Sequence, residues 1–327
     1  MAPAISRHAA DPPLNHRSRH RPAMTHSPLR RSLLLAAVSA PVLAACAVVG
    51  HQDGKKDGVK EDARTRDAAR QIAALESGFG GRIGVSAIDT GSGRRILHRA
   101  DERFALCSTF KVVLVSAVLA RAAGDARLLS SVIRYTRHDL VSYSPVTEKN
   151  LATGMTVAAL CAAAIQYSDN TAANLLIRLI GDPAAVTAYA RSIGDASFRL
   201  DRLETELNEA VPGDERDTTT PAAMADTLRR VTLGDGLDPS GRAQLVTWML
   251  GNTTGETRIR AGVPAGWRVA DKTGSGDYGT ANDVAVLYSP SRQPVVLTVY
   301  TTRPDKDAKY DNATLAAVAR IVTATFA

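Results

Sequence analysis

The sequence predicts an α/β protein of the α+β sandwich type: an antiparallel sheet assembled from both chain ends, with an all-helical lobe inserted at about residues 105–255. Three observations carry this. Alternating apolar and polar residues mark strands over residues 82–88 and 95–98. Strand character returns near the C-terminus, over residues 284–288 and 294–301. Between the two groups the chain is rich in alanine and leucine and mostly helical. At 327 residues and 45% hydrophobic content the chain can bury a large core.

The first 45 residues hold six arginines and one acid, Asp11, and four of the seven histidines. After Arg30-Arg31 comes an apolar run over residues 33–45. A basic stretch, a short apolar run and small residues read as an export signal, and the paired arginines resemble a twin-arginine address. A run of 13 residues is short for a membrane-spanning helix, which needs roughly 17–25. The end, Leu43-Ala44-Ala45-Cys46, resembles a bacterial lipobox, with Cys46 as the acylated first residue of the mature chain; an ordinary cleaved signal is the alternative. Met24 precedes a signal of normal proportions and is a possible true start. Residues 46–63 are glycine-bearing and charged, and read as a flexible tether.

The globular body is expected over residues 64–327. It opens with helical spacing over residues 68–75, with Ile72 and Leu75 on one face. The first two strands flank the turn Asp89-Thr90-Gly91-Ser92-Gly93 and form a hairpin. Gly124, Pro145, Gly181-Asp182-Pro183 and Pro212-Gly213 punctuate the lobe. A last helix places Leu315, Val318, Ile321 and Val322 on one face.

Ser108-Thr109-Phe110-Lys111 opens a strongly apolar helix, expected over residues 112–123. Positions i and i+3 share a helix face, which makes the Ser108 hydroxyl and the Lys111 amine neighbours. A hydroxyl needs a base to become a nucleophile, and a nearby neutral lysine can serve. Alone the pattern is weak, because Ser-x-x-Lys arises by chance about once in a chain of this size. Taken alone, an N-cap serine beside a solvated lysine is the better explanation. Sixty residues on, Ser168-Asp169-Asn170 precedes a second apolar helix, and Lys272-Thr273-Gly274 lies where the chain returns to strands. Each has a bland reading, a helix cap for the first and an edge strand with its turn for the second. The three in this order are far less ordinary.

The set resembles the class A serine β-lactamases over residues 64–327. That resemblance implies a β-lactamase/transpeptidase-like fold and hydrolysis of penicillins and cephalosporins through an acyl-enzyme on Ser108, conferring resistance. Glu204-Thr205-Glu206-Leu207-Asn208 matches the family's Glu-x-x-Leu-Asn on its Ω-loop, and Arg202 and Asp217 match the ion pair that pins this loop. The resemblance assigns Lys111 or Glu204 as the acylation base and Ser168 as proton shuttle, assisted by Lys272. It gives Glu204 and Asn208 the deacylating water, and the backbone N–H groups of Ser108 and Ser275 the oxyanion. Asn170 would hold the substrate's side-chain amide. Many members carry an arginine where Ala281 stands; Arg258 matches the alternative used by others, with Arg260 as its near rival. The resemblance thus puts Arg258, Thr273 and Ser275 at the substrate carboxylate, Gly274 among the substrate-binding residues and Tyr143 across the mouth.

No disulfide is expected. Gly276 stands where some relatives pair a cysteine with the position of Cys107, and Val115 stands opposite the position of Cys161. After residue 45 the histidines are His51, His98 and His138, too scattered for a zinc site or a Ser-His-Asp triad. No metal or cofactor is expected, and a monomer is. The net charge of +7 invites a nucleic-acid reading, but +5 of it falls in residues 1–45, and aromatics are only 5%. Two rivals remain. A penicillin-binding carboxypeptidase is opposed by Glu204 and Asn208, and a non-catalytic lipoprotein by the intact nucleophile and lysines.

Overall fold

The computed structural model describes residues 62–327. The expected export signal, Met24, Cys46 and nearly all of the expected tether lie outside the described residues.

The expected tether ends earlier than its composition suggests. Helix α1 spans Ala63–Phe79 and begins one residue before the body was expected to. Its start is fixed by Asp62, whose carboxylate accepts the Thr65 N–H at 2.9 Å while the Thr65 hydroxyl accepts the Asp62 N–H at 3.0 Å. This reciprocal cap satisfies amides that the first turn leaves without partners. Gly80, at φ 73°, ends the helix. α1 also outruns its apolar pattern because Thr65, Ala68, Ile72 and Phe79 are its only buried residues.

Five strands form the main sheet: β1 Arg82–Asp89, β2 Arg95–His98, β3 Arg268–Gly276, β4 Thr280–Tyr288 and β5 Val295–Thr302. Their order is β2-β1-β5-β4-β3, antiparallel throughout. The register Ile83↔Thr301 and Val85↔Val299 joins the two chain ends, and β3 is left at an edge.

Both sheet faces are covered, so β4 reads as an almost unbroken buried run. Ala285 and Leu287 face the core shared with α1 and with the last helix, α9 Asn312–Phe326. Val284 and Val286 face the helical lobe. That lobe comprises α2 Phe110–Ala122, α3 Val157–Gln166, α4 Asn170–Ile180, α5 Pro183–Ser192, α6 Pro221–Thr232 and α7 Pro239–Leu250. A four-residue turn of helix, α8 Ile259–Gly262, leads back to the sheet. α2 is buried from Phe110 to Leu119 and is the axis around which the lobe packs. Among the described residues no helix is long and apolar enough to cross a membrane. Cys107 and Cys161 are both buried free thiols.

Candidate active site

A 3₁₀ turn, Cys107–Thr109, feeds into α2 and sets Ser108 at its mouth. Lys111 lies one turn on, and its Nζ donates to Ser108 Oγ at 2.8 Å, as the i,i+3 spacing predicts. The lysine is fully buried. Its ammonium also donates to Asn170 Oδ1 at 2.6 Å and to the Ser168 carbonyl at 2.9 Å. Burial pulls its pKa down, and the Glu204 carboxylate, 2.8 Å away, opposes that shift.

Ser168 and Asn170 flank the start of α4. The bland reading of this triplet holds for its middle member: Asp169 is the N-cap and accepts the Ala172 N–H at 2.8 Å. The same buried carboxylate accepts the amides of Val146 and Thr147, each at 2.9 Å. It thereby ties the neighbouring loop, which carries Tyr143, to the helix. Asn170 Nδ2 donates to the Ser142 carbonyl at 2.9 Å, which fixes its amide with the oxygen toward Lys111. Ser168 sits in the left-handed region at φ 57°.

Glu204 comes from the loop between α5 and α6. Ser108 Oγ donates to its Oε1 at 3.1 Å, and Asn208 Nδ2 donates to its Oε2 at 2.5 Å. Asn174, one turn beyond Asn170 on α4, holds the backbone: its Nδ2 donates to the Glu204 carbonyl at 2.8 Å and its Oδ1 accepts the Glu204 N–H at 2.9 Å. The Arg202–Asp217 pair closes the base of the loop at 2.6 Å, and Asp217 Oδ1 also accepts the amides of Asp201 and Arg202.

The opposite wall is the edge strand β3. Lys272 is fully buried, and its Nζ donates to Ser168 Oγ at 3.0 Å and to the Thr273 carbonyl at 2.6 Å. Burial pushes its pKa well below the usual lysine value, and the Lys111 charge adds to that. β3 meets the Cys107–Thr109 turn where side chains are absent. A Cβ on Gly274 would lie 3.2 Å from Ser108 N, and one on Gly276 would lie 2.8 Å from Cys107 Sγ and 2.5 Å from the Asn208 carbonyl oxygen. These approaches bring the Ser108 and Ser275 backbones to one corner of the site.

Arg258 reaches that wall from the turn before α8. Its guanidinium donates to the carbonyls of Gly274 and Asn282, both at 2.7 Å, to Ser275 Oγ at 2.6 Å and to Asn312 Oδ1 at 2.9 Å. All four acceptors are uncharged. The rival Arg260 turns away and pairs with Asp271 at 2.6 Å beneath the sheet.

Between the walls lies a cleft of about 400 Å³. Ser108, Tyr143, Ser168, Asn170, Asn208, Arg258, Thr273, Gly274 and Ser275 line it, with Lys111, Glu204 and Lys272 buried beneath. Thr254, Tyr310 and Asn312 also line it and were not expected. Thr254 arrives on the loop after α7 and Asn312 at the start of α9, so no local pattern announces them. Asn174 was detectable, because Asn170 and Asn174 at i,i+4 put two amides on one face of a largely apolar helix.

The model of the beta-lactamase enzyme family matches residues 67–326. The carbapenem-hydrolyzing beta-lactamase KPC of Klebsiella oxytoca is 56% identical over 265 residues, covering 81% of this chain and 90% of the relative. Beta-lactamase Toho-1 of Escherichia coli is 50% identical over 303 residues, covering 93% of this chain and 100% of the relative. The crystal structure of a beta-lactamase from Desulfarculus baarsii DSM 2075 is 55% identical with a TM-score of 0.80, covering 80% of this chain and 98% of that one.

Proposed function

The chain belongs to the beta-lactamase enzyme family as a class A serine enzyme that hydrolyses β-lactams, and on that premise we propose that Ser108 is its nucleophile and that penicillins and cephalosporins are its substrates. The observation that carries this is the convergence on Ser108 Oγ of Lys111 at 2.8 Å and Glu204 at 3.1 Å. Ser108 attacks the lactam carbonyl, and its proton passes to the Lys111–Glu204 pair, whose nitrogen and carboxylate oxygen lie 2.8 Å apart. The oxyanion is received by the N–H groups of Ser108 and Ser275. Ser168, between the two lysines, returns a proton to the departing nitrogen, and Lys272 stabilises the shuttle's oxygen. Glu204, oriented by Asn208 and Asn174, then activates water against the acyl-enzyme. The substrate carboxylate lies on Arg258, Thr273 and Ser275, and Asn170 and Tyr143 receive its acyl side chain.

The deciding experiment is turnover of a chromogenic cephalosporin by the wild type, Ser108→Ala and Glu204→Ala, with intact-protein mass. Only the wild type should turn over, and Glu204→Ala should accumulate an adduct on Ser108. A stable wild-type adduct would point instead to a penicillin-binding carboxypeptidase.

The same reading takes residues 1–45 as an export signal directing the enzyme to the periplasm, residues 64–327 as the catalytic domain, and Cys46 as the lipid-bearing residue of a monomer. Mass analysis of membrane-extracted protein tests the anchor; a free N-terminus at another residue overturns it.

A further inference from the structure

Thr254 has no part in the reading above, yet it lines the cleft and its Oγ1 lies 2.5 Å from Thr273 Oγ1. It also belongs to a chain of polar contacts that ends at a buried charge. Asp271 is fully buried, and its Oδ1 accepts Arg260 Nε at 2.7 Å. Its Oδ2 accepts Asn252 Nδ2 at 2.6 Å. A Cβ on Gly255 would lie 1.9 Å from that oxygen, so the bare backbone at this position is what admits the carboxylate.

Because Asp271 takes the amide nitrogen, the Asn252 oxygen must face Thr254. It accepts both the Thr254 N–H at 3.1 Å and the Thr254 hydroxyl at 2.8 Å. The Thr254 hydroxyl thus has one proton and two acceptors within reach, Asn252 Oδ1 and Thr273 Oγ1. When Thr254 donates to Asn252 Oδ1, the proton between the two hydroxyls comes from Thr273. An anion beside Thr273 draws the Thr273 proton toward itself. Thr254 can then turn its own proton to Thr273, because Asn252 Oδ1 keeps the Thr254 N–H. No buried group is left without a partner in either arrangement.

We propose that Thr254 is a positioning residue for substrate carboxylate recognition: held by Asn252 and Asp271, it donates to Thr273 Oγ1 so that Thr273 presents its proton to the anion. This inference rests on the assignment of Thr273 to the substrate carboxylate. Hydrogen bonds aligned in series polarise one another, and the effect is largest when the final acceptor is charged. The relay therefore favours the carboxylate over its neutral ester.

The test measures kcat and KM for the wild type, Thr254→Val and Thr254→Ser. The probes are a chromogenic cephalosporin and the same compound esterified with methanol at its carboxylate. Thr254→Val should raise KM for the acid about five- to tenfold, with kcat within about threefold, while KM for the ester moves less than about twofold. Thr254→Ser, which keeps the hydroxyl, should restore the acid KM. Equal losses on acid and ester, a loss confined to kcat, or no rescue by serine would each overturn the relay. Should valine not be accommodated, Thr254→Ala reads the same split. Failure of wild-type Ser108 to acylate with either compound would overturn the site assignment along with the relay.

Discussion

On the lobe side of the cleft, Ser108, Lys111, Ser168 and Glu204 are buried and hydrogen-bonded to one another. On the sheet side, Arg258 is equally buried but bonded only to uncharged acceptors, and Thr273 and Ser275 beside it offer hydroxyls to the cleft. The first wall compensates its charges internally, at the 2.8 Å contact between Lys111 and Glu204. The second holds a guanidinium to which no carboxylate is hydrogen-bonded, with Asp283 acting on it only through space. Bond making needs groups that exchange protons at little cost, and a low-dielectric pocket with an acid beside a base provides this. Anion capture needs a cation that no resident carboxylate has already neutralised. One cleft therefore carries both designs, on elements that the chain makes far apart.

Lys272 sits on the second wall and donates to Ser168 of the first, so removing it should break the division most severely. Lys272→Ala is expected to lower kcat/KM about 10²–10³-fold, as deletion of one preorganised electrostatic donor does; steady-state kinetics at saturating and limiting substrate checks it. Arg258→Ala attacks the second wall alone. KM for carboxylate-bearing substrates should rise about 10–100-fold, the weight of a charge-assisted hydrogen bond, with a smaller change in kcat. A matching fall in kcat would show that the walls are not separable.

Asp217→Ala tests the first wall through its scaffold. The substitution leaves Arg202 with Glu209 alone and strands two backbone amides, so it should cost about 2 kcal/mol and lower the thermal midpoint by about 4–8 °C. Deacylation should slow more than acylation, because the loop it anchors carries Glu204; pre-steady-state burst kinetics separates the two. Gly276→Ala sharpens the comparison at the seam. A methyl group there meets Cys107 Sγ and the Asn208 carbonyl, and should cost about 1 kcal/mol by forcing the walls apart. Denaturant midpoints read this directly.

Much of the lobe side was legible in the sequence because its chemistry is local. Ser108 and Lys111 are three residues apart on one helix, and Ser168 and Asn170 bracket one helix cap. Periodicity located the strands that join the chain ends, although β4 extends further than alternation indicated and β3 gave no alternation at all, since both their faces are buried. Resemblance set Arg258 apart from Arg260, and of the two only Arg258 lines the cleft, because Asp271 claims Arg260. Thr254, Tyr310 and Asn312 escaped because tertiary packing alone brings their loops to β3. The extra turn of α1 escaped because a cap of two polar residues, Asp62 and Thr65, looks like any charged linker until both bonds are seen.

The register Ile83↔Thr301 also governs when this molecule can become an enzyme. β1 reaches its central position only by pairing with β5, the last strand to be made. At about 5–20 residues per second of synthesis, β1 waits roughly 10–40 s for that partner. Throughout this interval β1 has β2 along one side and no strand along the other, and contacts of such long sequence separation form slowly even once the chain is complete. The lobe can condense early, but the wall built on β3 lacks Asn312, a partner of Arg258, until nearly the whole chain has been made. Activity is thus the last property acquired during biogenesis, and a chain stopped short of residue 295 should retain helices without a binding cleft.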